Sequence, residues 1–321
     1  MKKALIYGFL GRNNFGDELM LHLHKEILEE LGYEVSYTTD VVNLSQTELK
    51  YIDSSFIKNM DCFDYDLIIY GGGALPLFYG IELLTKIKFF SKNCKIIASS
   101  INPAITHKID FCNLYNSIFD GMIFRSPLTD EMINNIKIPK IYLPDIATTI
   151  DSQYSNTKNN KIAIIIRKDG IFFNGSNIIY PKEDHDLVIT SSSDKNLLKT
   201  FKIYPKSIID ITEIPIMDRV NILKEYSKIL SYGRFHPPLL FKNNPENTCY
   251  LYPFLQNSYN LNKDTSLYYS WENFKEFEKH QACEDAKNNL KTKTGNLSIN
   301  FYKYPSSEKH EYKKFMQNIL Q

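Results

Sequence analysis

Short apolar runs recur along this chain with helix-like segments between them, and that alternation constrains the fold more than any other feature. In the first half the runs are KKALIYGF (2–9), YEVSYTT (33–39), YDLIIYGGG (65–73), KIIASSI (95–101), FDGMIFRS (119–126) and KIYLP (140–144). Continuous apolar runs, rather than alternating ones, are what a parallel sheet covered on both faces requires. Between the first two, DELMLHLHKEILEEL (17–31) puts Leu19, Met20, Leu23, Ile27, Leu28 and Leu31 on one helical face, and Gly32 supplies a stop. Strand, helix and strand repeated in this way predict a doubly wound α/β domain.

A second series follows a polar stretch, DSQYSNTKNN (151–160), which has no apolar period and reads as a linker. KIAIIIRKDG (161–170), HDLVITSSS (185–193), KSIIDIT (206–212) and NTCYLYPF (247–254) are strand candidates, and VNILKEYSKIL (220–230) has the pattern of an amphipathic helix. The last part, over 271–291 and 308–320, is charged and helical in pattern. A chain of 321 residues exceeds one core of ordinary size. The expected architecture is therefore two doubly wound, Rossmann-like α/β domains facing each other across a cleft. The N-terminal one covers 1–150, the linker 151–160 and the C-terminal one 161–300. A C-terminal helix over 301–321 is expected to dock on the N-terminal domain.

Charge and cysteine content exclude several classes. Lys and Arg number 38 against 37 Asp and Glu, so the chain lacks the basic excess of a general nucleic-acid binder, and any anion site must be local. The five cysteines (Cys62, Cys94, Cys112, Cys249, Cys283) form no C-x-x-C pair, which suggests neither a zinc site nor a disulfide framework. Cys94 and Cys112 flank apolar segments and read as small core residues. The basic, apolar start MKKALIYGFLG is too short for a signal peptide and runs at once into acids. No apolar stretch approaches the roughly 20 residues of a membrane span. A cytoplasmic enzyme is expected, with the inner membrane face as a compatible place of work.

Ligands of open α/β sheets gather at the carboxyl ends of the strands, so the loops there carry the candidate residues. GFLGRNNFGDE follows the first strand, and its Gly8, Gly11 and Gly16 let a ligand approach main-chain N–H groups. Asn14 or Asp17 can cap the helix that follows, whose positive end suits an anion or a polar sugar. Its spacing is not G-x-G-x-x-G, and Asp40 is only a loose candidate for a ribose clamp. A second loop, Gly71, Gly72 and Gly73, exposes backbone amides at the end of another strand. In ILSYGRFHPPLLF (229–241), which reads as an apolar helix leading into a loop, Arg234 and His236 lie two residues apart before a new element begun by Pro237-Pro238. A guanidinium forks onto phosphate or carboxylate, and an imidazole holds or gives a proton near neutral pH. Arg167 and Arg125 each end a strand. His22 and His24 point to different helical faces, His107, His185, His280 and His310 are scattered, and no metal site is expected. Asp145 and the pair Asp184/Asp186 are acids that spacing alone does not select.

Taken together, these residues resemble the polysaccharide pyruvyl transferase family. Its opening G-x-x-G-x-x-N-x-G-D-E loop reads here as Gly8, Gly11, Asn14, Gly16, Asp17, Glu18. Its glycine triplet reads as DLIIYGGGAL, and its S-x-R-x-H element as SYGRFH with one residue shifted before the Arg. The order spans residues 4 to about 255. After the fifth strand the family's Arg-Asp reads Arg125-Ser126, with Asp130 further on. The resemblance implies transfer of a pyruvyl group from phosphoenolpyruvate onto two hydroxyls of a glycan or lipid-linked sugar of the cell envelope, as a ketal, with phosphate released and no cofactor. It makes Arg167, Arg234 and His236 the donor-binding residues. His236 is the candidate acid or phosphate partner, and Asp17 the base or the holder of the sugar. Gly11, Asn14, Gly16, Asp17, Glu18, Gly71, Gly72, Gly73 and Arg125 form the acceptor side. The alternative is a GT-B glycosyltransferase using a nucleotide sugar, since that class shares the two-domain arrangement. His236-Pro237 is similar to the His-Pro motif of bacterial sialyltransferases, and the serines of ITSSS (189–193) suit a nucleotide phosphate. A third alternative, motivated by Ser126, is a sugar-binding relative without chemistry.

Overall fold

A computed structural model describes residues 1–8, 13–38, 64–71, 81–91, 93–101, 109–125, 134–150, 161–167, 185–196, 205–232, 234, 236–241, 248–251 and 308–321. The chain divides into two units. The first is Met1–Arg12, Asp17–Thr149 and Pro305–Gln321; the second is Asn13–Gly16 and Ile150–Tyr304. The stretches 151–160 and 271–291 lie outside the described residues.

In the first unit, β1 (Lys2–Tyr7), β2 (Tyr33–Thr38), β3 (Leu67–Gly71), β4 (Lys95–Ile101), β5 (Gly121–Phe124) and β6 (Lys140–Tyr142) form one sheet. The order is β2-β1-β3-β4-β5-β6, and every pairing is parallel. The strand cores are apolar on both faces: all of LIIYG in β3 is buried. One face packs Leu5, Ile68, Ile96, Ala98 and Met122 with Leu84 and Ile87 of α2 (Ile81–Phe90) and with Cys112, Tyr115 and Ile118 of α3 (Ile109–Ile118). Each fully buried Leu or Ile there contributes about 1.5–3 kcal/mol. Cys94 and Cys112 are buried, and burial pushes the Cys94 thiol up to about 12. The long helix α1 (Phe15–Glu30) buries Leu19, Met20, Leu23, Ile27 and Leu28, the face its sequence period marked.

The C-terminal helix α6 (Glu308–Leu320) belongs to this unit. Its anchor is Tyr312, fully buried, whose hydroxyl donates to the Pro144 carbonyl at 2.7 Å and lies 2.9 Å from Ser100 Oγ. Lys309 and Lys313 reach Glu30 at the surface, where such pairs add little.

The second unit has five parallel strands: β7 (Ile162–Ile166), β8 (His185–Ile189), β9 (Ser207–Asp210), β10 (Lys228–Tyr232) and β11 (Thr248–Leu251). Their order is β11-β10-β7-β8-β9. The sheet grows first to one side of β7 and then to the other, so the order reverses between β7 and β10. That reversal is where open α/β sheets bind ligands. The architecture is thus two doubly wound α/β units with parallel sheets.

One expectation is corrected here. The stretch 220–230 is not a single helix: α4 (Ile216–Lys224) ends at its C-cap Glu225, and Lys228–Tyr232 is the strand β10, hydrogen-bonded between β7 and β11. Val220, Leu223, Tyr226 and Ile229 are all buried and spaced by three, which mimics one helical face across the break. Pairing on both edges of β10 prevails over that local pattern.

Candidate functional site

The end of the glycine loop is built into the second unit. The Phe15 amide donates to the Thr190 carbonyl at 2.9 Å, and Asn14 forms an antiparallel bridge with Ser191 just past β8. Asn13 takes a left-handed backbone, φ 49°, which Asn tolerates better than most residues. Asn14 Oδ1 accepts from the Gly16 amide at 3.2 Å, so Asn14 is the N-cap of α1 and Asp17 lies inside the first turn. Gly16 is fixed by its neighbour. A Cβ there would stand 1.9 Å from Nδ1, 2.5 Å from Cε1 and 2.6 Å from Cγ of the His236 ring. The two motifs that the sequence separates by 220 residues therefore meet side chain against backbone. Asn14 and Gly16, expected on the acceptor side, belong instead to the unit that carries Arg167, Arg234 and His236.

His236 opens α5 (His236–Leu239), a single turn directly after β10, and is 7% exposed. Arg234, between them, is held on two sides. Its Nε donates to Asp194 Oδ2 at 2.7 Å, and Nη2 donates to the same oxygen and to Ser193 Oγ at 3.0 Å. Its backbone carbonyl accepts from Ser231 Oγ in β10. Asp194 is 1% exposed and ends the one-turn 3-10 segment Ser192–Asp194, tied by its own amide to the Ser191 carbonyl at 2.9 Å. Sequence reasoning missed Asp194: it stands 40 residues from Arg234, and the serine cluster before it was the sole sign that this strand end mattered. Arg167 follows β7, half-buried, with no ion pair or hydrogen bond among the described residues. Thr190 Oγ1 and Asn13 Oδ1 are buried beside the bridge without a partner among the described residues.

In the first unit, Gly8 directly follows β1 and Gly71 ends β3, its paired neighbour. A Cβ on Gly8 would lie 1.8 Å from the Gly71 carbonyl oxygen, and one on Gly71 2.3 Å from that of Ser99. The two glycine loops thus leave adjacent strand ends, backbone on backbone. Asp17 and Glu18 are buried in the first turn of α1, where acids suit the positive helix end. Gly11, Gly72, Gly73, Asp40, Ser126, Asp130, Asp184, His107 and His280 lie outside the described residues.

Arg125 is a correction. It was expected to face the acceptor, but it is fully buried and ion-paired with Asp145, with Nη1 also 3.8 Å from Met20 Sδ. Its charge is spent inside the unit. Asp186, His24 and His22 likewise have partners inside the fold or at its surface. Asp186 accepts from Tyr226 and Ser207. His24 bonds the Met20 carbonyl at 2.8 Å and Ser99 Oγ at 2.7 Å, and burial lowers its pKa to about 4. His22 pairs at the surface with Glu26. No cluster of three metal-ligating side chains occurs among the described residues, and no described helix is long and apolar enough to cross a membrane.

No protein-family model matches the sequence, and no curated protein matches it. In fold the chain is similar to MurG of Acinetobacter baumannii, with 9% identity and a TM-score of 0.49 over 99% of this chain and 100% of that one. It is also similar to an alpha-glucosyltransferase in complex with UDP-glucose and DNA containing an abasic site, with 11% identity and a TM-score of 0.49 over 99% of each. A third is the wall teichoic acid polymerase TagF, with 10% identity and a TM-score of 0.45 over 99% of this chain and 89% of that one. Likeness at this level carries no argument about the reaction.

Proposed function

We propose that the chain is a transferase acting on a glycan, and that it draws a pyruvyl group from phosphoenolpyruvate held at the strand ends of the second unit. The observation that supports this is the meeting of Asn14 and Gly16 with Ser191 and His236. A loop and a helix start that resemble two separate motifs of one enzyme family are parts of one structure. In the proposed reaction, His236 gives a proton to the methylene carbon and C2 becomes oxocarbenium-like. One sugar hydroxyl then adds to C2, and a second displaces phosphate. Of the two hydroxyl protons, one replaces that given by His236 and one leaves with phosphate. Arg167 and Arg234 take the carboxylate and the phosphate.

A second reading, nucleotide-sugar transfer, is favoured by a different observation. Asp194 offsets the charge of Arg234, and the β11-β10-β7-β8-β9 order, counted from β7, is the 3-2-1-4-5 part of the classic nucleotide-binding doubly wound order. Thermal unfolding with phosphoenolpyruvate, CMP and UDP separates the readings, because a ligand at 100 times its Kd stabilises by about 2.7 kcal/mol. The pyruvyl reading expects a shift with phosphoenolpyruvate alone. A shift with a nucleotide alone moves the conclusion to the second reading, and none with all three refutes both.

A further inference from the structure

We propose that Asp194 is a positioning residue that holds the Arg234 guanidinium by Nε and Nη2 so that Nη1 is presented to an anionic group of the donor. This deepens the function proposed above and rests on the second unit binding an anionic donor. Three features set the geometry. Asp194 is nine-tenths buried and more, and it sits on a turn pinned by its amide to Ser191 at the end of β8. Arg234 is pinned at the other end, where Ser231 of β10 donates to its carbonyl. Ser193 Oγ takes Nη2 at 3.0 Å, itself 3.1 Å from Ser191 Oγ. The side-chain hydrogen bonds of Arg234 among the described residues run from Nε and Nη2, and the side chain keeps 12% exposure.

A free arginine loses much rotamer freedom when it grips a ligand, and one already held by its fork loses less. Asp194 would then strengthen anion binding although it carries the same sign as the ligand. The opposing account makes Asp194 a neutralising partner of Arg234 and nothing more. The two accounts predict opposite signs. If Asp194 only neutralises, Asp194→Asn exposes an uncompensated cation and tightens anion binding. If it positions, the same change loosens binding.

The experiment is calorimetric titration of phosphoenolpyruvate into the wild type, Asp194→Asn, Ser193→Ala, Arg234→Gln and the Asp194→Asn/Arg234→Gln double variant. Losing a hydrogen-bonded charge partner weakens binding roughly tenfold or more, and losing the exposed Ser193 hydroxyl about threefold. In the double variant the Asp194 change adds nothing to the Arg234 loss, a non-additivity that a purely structural role of Asp194 would not give. Ser193→Ala serves if Asp194→Asn does not fold. Unchanged or tighter binding in Asp194→Asn, or in Ser193→Ala where that stands in, overturns the proposal while leaving the donor reading intact. If the wild type binds UDP or CMP instead, the pyruvyl reading fails and the same variants are compared on that nucleotide. A wild type that binds none of the three overturns both.

Discussion

Replacing Gly16 by Ala tests the join between loop and imidazole, because two effects of opposite sign meet at one atom. Gly16 is the second residue of α1, and alanine there gains helix propensity worth up to about 1 kcal/mol. The added methyl, however, would overlap three atoms of the His236 ring, the nearest at 1.9 Å. One atom at that distance is relieved by a small shift. Three are relieved only if the whole ring turns out of its buried place at the start of α5. Overpacking of this kind costs about 1–3 kcal/mol, so the net expectation is a loss of about 1–2 kcal/mol. Urea unfolding gives the stability, and the His236 ring resonances report whether the imidazole has moved. Binding of phosphoenolpyruvate should fall with it. A Gly16→Ala protein that is more stable than wild type, with unmoved His236 resonances, would refute the contact and the argument built on it.

Other expectations follow from the same geometry. Arg125→Met should cost about 3–5 kcal/mol in urea unfolding, because it strands Asp145 in the interior. Tyr312→Phe, which removes the hydroxyl shared by Pro144 and Ser100, should cost about 1–2 kcal/mol in the same assay. His24 has a folded pKa of about 4, below its unfolded value of about 6.5, so the unfolded state binds the extra proton first. Its contribution is complete above pH 6.5 and is lost as pH falls toward 4, by at most about 3 kcal/mol. In His24→Gln, stability measured across that window should fall less steeply. His236→Gln and Asp17→Asn should each abolish turnover with far-ultraviolet circular dichroism unchanged, and a wild-type rate in either removes that residue from the mechanism.

Most strands were legible because burial on both faces of a parallel sheet leaves an uninterrupted apolar signature. KIIASSI is β4 residue for residue, and all five residues of LIIYG are buried. β10 was obscured because its buried Ile229 continues a three-residue spacing begun in α4. At the site, the glycines were visible as spelling, but their reasons were not. Gly16 yields to a ring brought from residue 236, and Gly71 to the Ser99 carbonyl of a neighbouring strand. Arg125 shows the reverse error. It ends a strand as a ligand-binding residue would, and only the three-dimensional position of Asp145 reveals that its charge is already satisfied. Asp194 had only the serine cluster before it as a local sign, since its meaning depends on where β8 and β10 end relative to each other within the second unit.

The most direct test of the donor assignment is the product. Incubation of the protein with phosphoenolpyruvate and a panel of glycans, followed by phosphate assay and mass spectrometry, should show phosphate released in step with a glycan that has gained one pyruvyl ketal. Addition of a whole sugar, with a nucleotide released from a nucleotide-sugar control and phosphoenolpyruvate left intact, would contradict it.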